Sequence, residues 1–162
     1  MPALKEGDPA PDFTLALDDG TSFTLGEQRG RPVVLYFYPQ DDTGGCTNEN
    51  QEFSERKAAF ENLGARLVGI SPDTIESHTK FRRKYNLQVP LASDPDHVAI
   101  ELFGLWQLKK LYGREFLGLI RTSFIIDAEG TVARIVRATR IVGHAEKMLD
   151  ALTQHVAQRK SD

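Results

Sequence analysis

The sequence predicts an α/β domain in which a central mixed β-sheet is flanked by helices and entered through an N-terminal β-hairpin. Three observations predict it. Val33-Val34-Leu35-Tyr36-Phe37-Tyr38 is an unbroken β-branched and aromatic run closed by Pro39, the pattern of a central strand covered on both faces. Strand and helix signals then alternate through the middle of the chain, which calls for parallel strands joined by right-handed crossovers. The last third returns to an antiparallel pair followed by an amphipathic helix.

In order along the chain, Gly7-Asp8-Pro9-Ala10-Pro11-Asp12 is a stiff polar lead-in, because each proline fixes its own φ and pushes the preceding residue toward extended geometry. Phe13-Thr14-Leu15-Ala16-Leu17 alternates as a half-buried strand does, Asp18-Asp19-Gly20 supplies a turn, and 21–25 resumes the alternation. After the core strand and the polar loop 40–45, helix formers begin at Cys46, with Phe53, Phe60 and Leu63 on one face and Gly64 suited to follow the helix. A strand is expected over 66–70, a turn at Ser71-Pro72-Asp73 and a helix over 74–85. Asp94-Pro95-Asp96 opens a short helix reaching Phe103. Ser123-Phe124-Ile125-Ile126 and 131–136 flank the turn Asp127-Ala128-Glu129-Gly130, and Met148, Leu152 and Val156 mark the apolar stripe of a last helix, with a polar tail over 158–162 expected to fray. This order suits a thioredoxin-like architecture, and 162 residues fit one such domain over the whole chain.

Composition excludes several function classes. Apolar residues make up 40% and charged residues 27%, a globular balance, and the net charge of −3 comes from interspersed signs. Binding to nucleic acid or an anionic membrane through bulk electrostatics is therefore not expected. Lys5, Glu6 and Asp8 place charge where a secretory signal needs an apolar stretch, so the chain is expected to be cytoplasmic. There is one cysteine, Cys46, so neither an intrachain disulfide nor a multi-cysteine metal site can form.

That cysteine falls in the loop beyond the carboxyl end of the core strand, where ligands bind in α/β sheets, and at the first turn of the following helix. Free backbone N–H groups and the positive end of the helix dipole favour a thiolate there, making the sulfur a nucleophile. A lone cysteine is elsewhere a small inert hydrophobe. Here its neighbours are Gly, Thr and Asn, and the two preceding glycines let backbone amides approach a ligand.

Pro39, Thr43 and Cys46 form P-x-x-x-T-x-x-C after a strand ending Tyr36-Phe37-Tyr38, which resembles the peroxidatic motif of the peroxiredoxins. Gly7 to Phe13 as G-x-x-A-P-x-F, Glu49 three residues after the cysteine, Arg121 in Gly118-Leu119-Ile120-Arg121-Thr122-Ser123-Phe124, and Phe103-Gly104-Leu105-Trp106 with Tyr112-Gly113 extend the resemblance to nearly the whole chain. It is nearest to the bacterioferritin-comigratory-protein (PrxQ) branch. The resemblance implies a thiol peroxidase without cofactor, in which Cys46 attacks hydrogen peroxide or an organic hydroperoxide and becomes a sulfenic acid. Arg121 would supply a permanent cation and a planar fork of donors. The Thr43 hydroxyl would bond peroxide and sulfur, and Pro39 would shield the pocket. Glu49 would orient arginines from behind, although a first-turn carboxylate is also favoured by the helix dipole alone.

Two departures from the branch stand out. Thr43-Gly44-Gly45-Cys46 replaces the frequent T-P-G-C, which loosens the entry to the helix. Gln51 occupies the position, five residues after Cys46, where many relatives place a resolving cysteine. The resemblance with no second thiol implies a 1-Cys mechanism, regenerated by thioredoxin, glutaredoxin or a small thiol, in a monomer or homodimer. The alternative is a peroxide-sensing or holdase-type binding protein on the same fold. A dithiol reductase is disfavoured because Thr43 stands where C-x-x-C needs its first cysteine.

The remaining polar residues carry no expected role. Asp41 and Asp42 read as a solvated loop, and His78, His97, His144 and His155 lack metal-ligand spacing and read as surface or helix-end residues, so no metal is expected. Trp106, Leu105, Leu108 and Leu111 read as core.

Overall fold

The structure, a computed structural model, describes residues 4–161. Its elements run β1 (Thr14–Leu17), β2 (Ser22–Thr24), β3 (Val33–Phe37), α1 (Gly44–Glu55), α2 (Lys57–Asn62), β4 (Arg66–Ser71), α3 (Ile75–Tyr85), β5 (Leu91–Ser93), α4 (Val98–Leu102), β6 (Trp106–Leu111), β7 (Arg114–Leu119), β8 (Thr122–Ile126), β9 (Val132–Arg137) and α5 (His144–Ser161). Seven strands form one sheet in the order β2-β1-β5-β4-β3-β8-β9, while β6 and β7 pair apart from it. The sheet is mixed: β3, β4 and β5 run parallel, and β1, β2, β8 and β9 join antiparallel.

The apolar run over β3 produces the layering. All five of its residues are buried. Alternation sends Val33, Leu35 and Phe37 into the core that contains Phe13, Phe103 and Phe124, and Val34 and Tyr36 into the core beneath Phe53, Phe60, Phe81 and Met148. Tyr36 stacks on Phe53 at a centroid distance of 4.0 Å and donates its hydroxyl to Asn50 Oδ1 at 2.7 Å, fixing α1 against the sheet. Neighbouring Gly69 on β4 leaves the space for that ring, since a Cβ there would lie 2.6 Å from Tyr36 Cζ.

Local signals account for the helices. Thr74 caps α3 by accepting from Ser77 N, and Asn86 closes it in the left-handed region. Both Asp94 oxygens cap α4, from Val98 N at 2.8 Å and Ile100 N at 2.9 Å. The single helix expected from Cys46 to Leu63 is instead two, broken at Arg56 (φ −104, ψ 3), although Phe53 and Phe60 keep their common buried face. Helix α5 includes the tail residues expected to fray as far as Ser161, with Asp162 outside the described residues.

Three groups of residues depart from the sequence expectation. Trp106, Leu108 and Leu111 are not core: they are 36%, 56% and 54% exposed on the β6–β7 hairpin, whereas Leu105 just before it is buried. His78 is not a surface residue but 0% exposed, and His144 sits at a helix end as expected, the first residue of α5, yet is 3% exposed. Asp41 is not solvated either, at 7% exposure, whereas Asp42 does face solvent and pairs with Lys84. A polar residue is buried stably only where partners await it, and apart from Tyr38, which bonds Asp41, those partners come from elements distant in sequence.

Candidate active site

Sheet register assembles the site from two distant segments. Phe37, the last residue of β3, pairs with Thr122, the first of β8. The loop into α1 and the residue before β8, Arg121, therefore emerge at the same sheet end. Ala138 N donates to the Arg121 carbonyl at 2.9 Å, holding that residue from the β9 side as well.

Helix α1 starts after Thr43, whose backbone is extended (φ −92, ψ 157), so Cys46 is its third residue. N–H groups in this first turn lack intrahelical acceptors and point toward the helix end. Arg121 Nη2 lies 3.2 Å from Cys46 Sγ, and Arg121 Nη1 donates to Glu49 Oε1 at 2.5 Å. Positions three apart share a helix face, so the thiol and the carboxylate of α1 are bridged by one guanidinium.

Electrostatics follow from burial. Glu49 is 1% exposed and its Oε2 has no hydrogen-bond partner among the described residues. Burial raises its pKa to about 7 against the opposing pull of Arg121. For Arg121, burial disfavours the charge, but Glu49 and Cys46 outweigh it and hold the guanidinium above its ordinary value. His144 places Nε2 2.7 Å from Ser123 Oγ, and burial, with Lys147 and Arg121, depresses its pKa to about 4. Lys109 of β6 is pushed down by burial and by Arg121 and up by Cys46, which places a second cation in the field of the sulfur.

The structure thus brings Cys46, Arg121 and Glu49 into direct contact. Thr43 lies at the head of the same helix, but its hydroxyl donates to Gln40 O at 3.1 Å, and no hydrogen bond joins it to the sulfur among the described residues. Pro39 is half-buried just beyond β3. The sulfur is enclosed, since Cys46 is 1% exposed. On the neighbouring Gly45, a Cβ would lie 2.6 Å from Ile141 Cδ1, so the 138–143 loop closes over this turn. Sequence reasoning missed His144, Lys109 and Ile141, which carry no local signal of proximity to residue 46.

Residues 6–135 match the AhpC/TSA family. The chain belongs to that family. It is a peroxiredoxin, a thiol-dependent peroxidase, and its relatives agree along the length of the chain. Peroxiredoxin Bcp of Bacillus subtilis (strain 168) is 40% identical over 149 residues, covering 92% of this chain and 95% of its own. The putative peroxiredoxin bcp of Helicobacter pylori (strain ATCC 700392 / 26695) is 42% identical over 152 residues, covering 94% and 100%. Among solved structures, the bacterioferritin comigratory protein of Xanthomonas campestris, studied for its alkyl peroxide reduction activity, superposes with a TM-score of 0.84 at 36% identity, covering 89% of this chain and 92% of that one. A cysteine-to-serine mutant of Xylella fastidiosa PrxQ gives 0.88 at 31% identity, covering 96% and 99%. These matches carry the thioredoxin-like fold, with its mixed sheet between helices. Among the described residues of this peroxiredoxin, no helix is long and apolar enough to cross a membrane.

Proposed function

We propose that this peroxiredoxin works by a 1-Cys mechanism with Cys46 as the reacting thiol. The Cys46 thiolate attacks the terminal oxygen of hydrogen peroxide or an organic hydroperoxide. An S–O bond forms, the O–O bond breaks, and the leaving oxygen takes up a proton to depart as water or alcohol. The resulting sulfenic acid condenses with an external thiol, releasing water and leaving a mixed disulfide. A second thiol displaces Cys46 from it. Thioredoxin, glutaredoxin and small thiols are the candidate reductants, because the sequence holds no second cysteine.

The observation that carries this reading is the 3.2 Å contact from Arg121 Nη2 to Cys46 Sγ at the first turn of α1. A fixed cation beside the sulfur stabilises the thiolate, and its fork of donors suits the charge that develops on the parting peroxide oxygens. Thr43 reaches the peroxide by turning its hydroxyl away from Gln40, and Pro39 walls the loop without adding a donor. Glu49 holds the guanidinium in place. Sustained NADPH-coupled consumption of peroxide with a thiol-reducing system, lost in Cys46→Ser, is the expected result. One oxidation per chain without turnover would favour the peroxide-sensing or holdase-type alternative.

A further inference from the structure

Gly44 and Gly45 open α1 without side chains, so the helix end that presents Cys46 depends on the residues before it for its placement. The residue that ties this loop down most is Asp41. Its backbone N–H donates to Asp73 Oδ2 at 2.8 Å, and Oδ1 accepts from the Tyr38 hydroxyl at 2.6 Å. Oδ2 accepts from the Ser77 hydroxyl at 2.8 Å and faces His78 Nδ1 at 2.7 Å.

His78 is 0% exposed, and its Nε2 lies 3.0 Å from the Ala92 carbonyl oxygen. A carbonyl can only accept, so Nε2 carries hydrogen. Nδ1 also faces an acceptor, so a further proton lies between it and Asp41 Oδ2, whichever of the two atoms holds it. Together the pair is uncharged, which lets both groups sit in the core without another counter-ion. Ligand-type atoms of Asp41, Asp73 and His78 lie within 4.8 Å of one another, as a cation would need. Hydrogen bonds from Ser77, Tyr38, Ser71 and the Asp41 amide already engage their carboxylates.

The next residue is held as firmly. Asp42 has φ +59, and its carboxylate accepts from Lys84 Nζ at 2.8 Å and from the Tyr85 hydroxyl at 2.7 Å. A non-glycine residue keeps a left-handed backbone where its surroundings over-determine it. Helix α3 therefore grips two successive residues of the loop.

We propose that Asp41 and His78 are positioning residues for the peroxide reaction: the proton they share locks the 39–43 loop onto α3 and so sets where α1 holds the Cys46 sulfur against Arg121. This rests on reading Cys46 as the reacting thiol. A displacement of about 1 Å at a reacting centre is worth up to about a hundredfold in rate.

The test compares two rates in the full chain, oxidation of Cys46 by hydrogen peroxide and its alkylation by iodoacetamide, with thermal unfolding recorded alongside. Oxidation of the parent protein checks the Cys46 reading by itself. Asp41→Ala is expected to lower the ratio of oxidation to alkylation roughly 10- to 100-fold. Asp41→Asn is expected to stay within about threefold of the parent, because its amide donates to neutral His78 Nδ1 while its oxygen still accepts from Tyr38. Simple loss of stability would lower Tm without moving that ratio. A folded Asp41→Ala with an unchanged ratio, or Asp41→Asn as impaired as Asp41→Ala, overturns the proposal. Should Asp41→Ala fail to fold, Ser77→Ala decides: a ratio lowered severalfold supports the proposal, and an unchanged one overturns it.

Discussion

Arg121 Nη2 lies 3.2 Å from Cys46 Sγ although the two residues stand 75 positions apart. The same guanidinium donates to Glu49, so its planar fork serves two partners at once. Lysine offers a charge without that fork. Arg121→Lys is expected to slow oxidation of Cys46 by hydrogen peroxide about 10- to 100-fold, and Arg121→Ala about 100- to 1000-fold, in rapid-quench measurements. Equal rates in all three proteins would remove Arg121 from the chemistry.

Glu49 and His144 predict opposite pH dependences of stability. With its pKa raised to about 7, Glu49 stays protonated in the folded chain after its unfolded counterpart has ionised, so its contribution is full below the unfolded value near 4.5 and is lost as pH rises to 7. His144, depressed to about 4, contributes fully above about 6.5 and loses that contribution as pH falls toward 4. Denaturant unfolding across this range is expected to show Glu49→Gln gaining on the parent as pH rises, and His144→Gln gaining as pH falls, each by at most about 3 kcal/mol. Parallel curves for parent and variants would contradict both assignments.

Much of this architecture was legible because it is written locally. The apolar run over β3 needs no partner to declare itself, and Cys46 at the head of the next helix follows from a polar loop and helix formers. Strand β5 is three residues long and exists through its pairing with β4 and β1. Hairpin β6–β7 carries apolar residues on both strands, and nothing in Trp106 or Leu108 signals that these side chains stay exposed. Asp41 reads as solvated because the groups that bury it, Tyr38 aside, lie on α3 and beside it, with Ser77 36 positions away. Arg121 became a candidate through family resemblance, since register between β3 and β8 is invisible to a local pattern.

Ile141 packs where a side chain on Gly45 would go, 2.6 Å from an added Cβ. Gly45→Ala is therefore expected to push the 138–143 loop outward and lower stability by about 1–3 kcal/mol. Ile141→Ala is expected to restore most of that loss in the double variant, and alone to speed alkylation of the buried Cys46 severalfold. The check is a double-mutant cycle with both readouts; purely additive effects would contradict the contact.

Intact mass after one equivalent of hydrogen peroxide tests the central claim most directly. The expected result is one added oxygen, located on Cys46 by peptide mapping and removed on addition of a thiol. An unchanged mass while the peroxide persists in solution would contradict it.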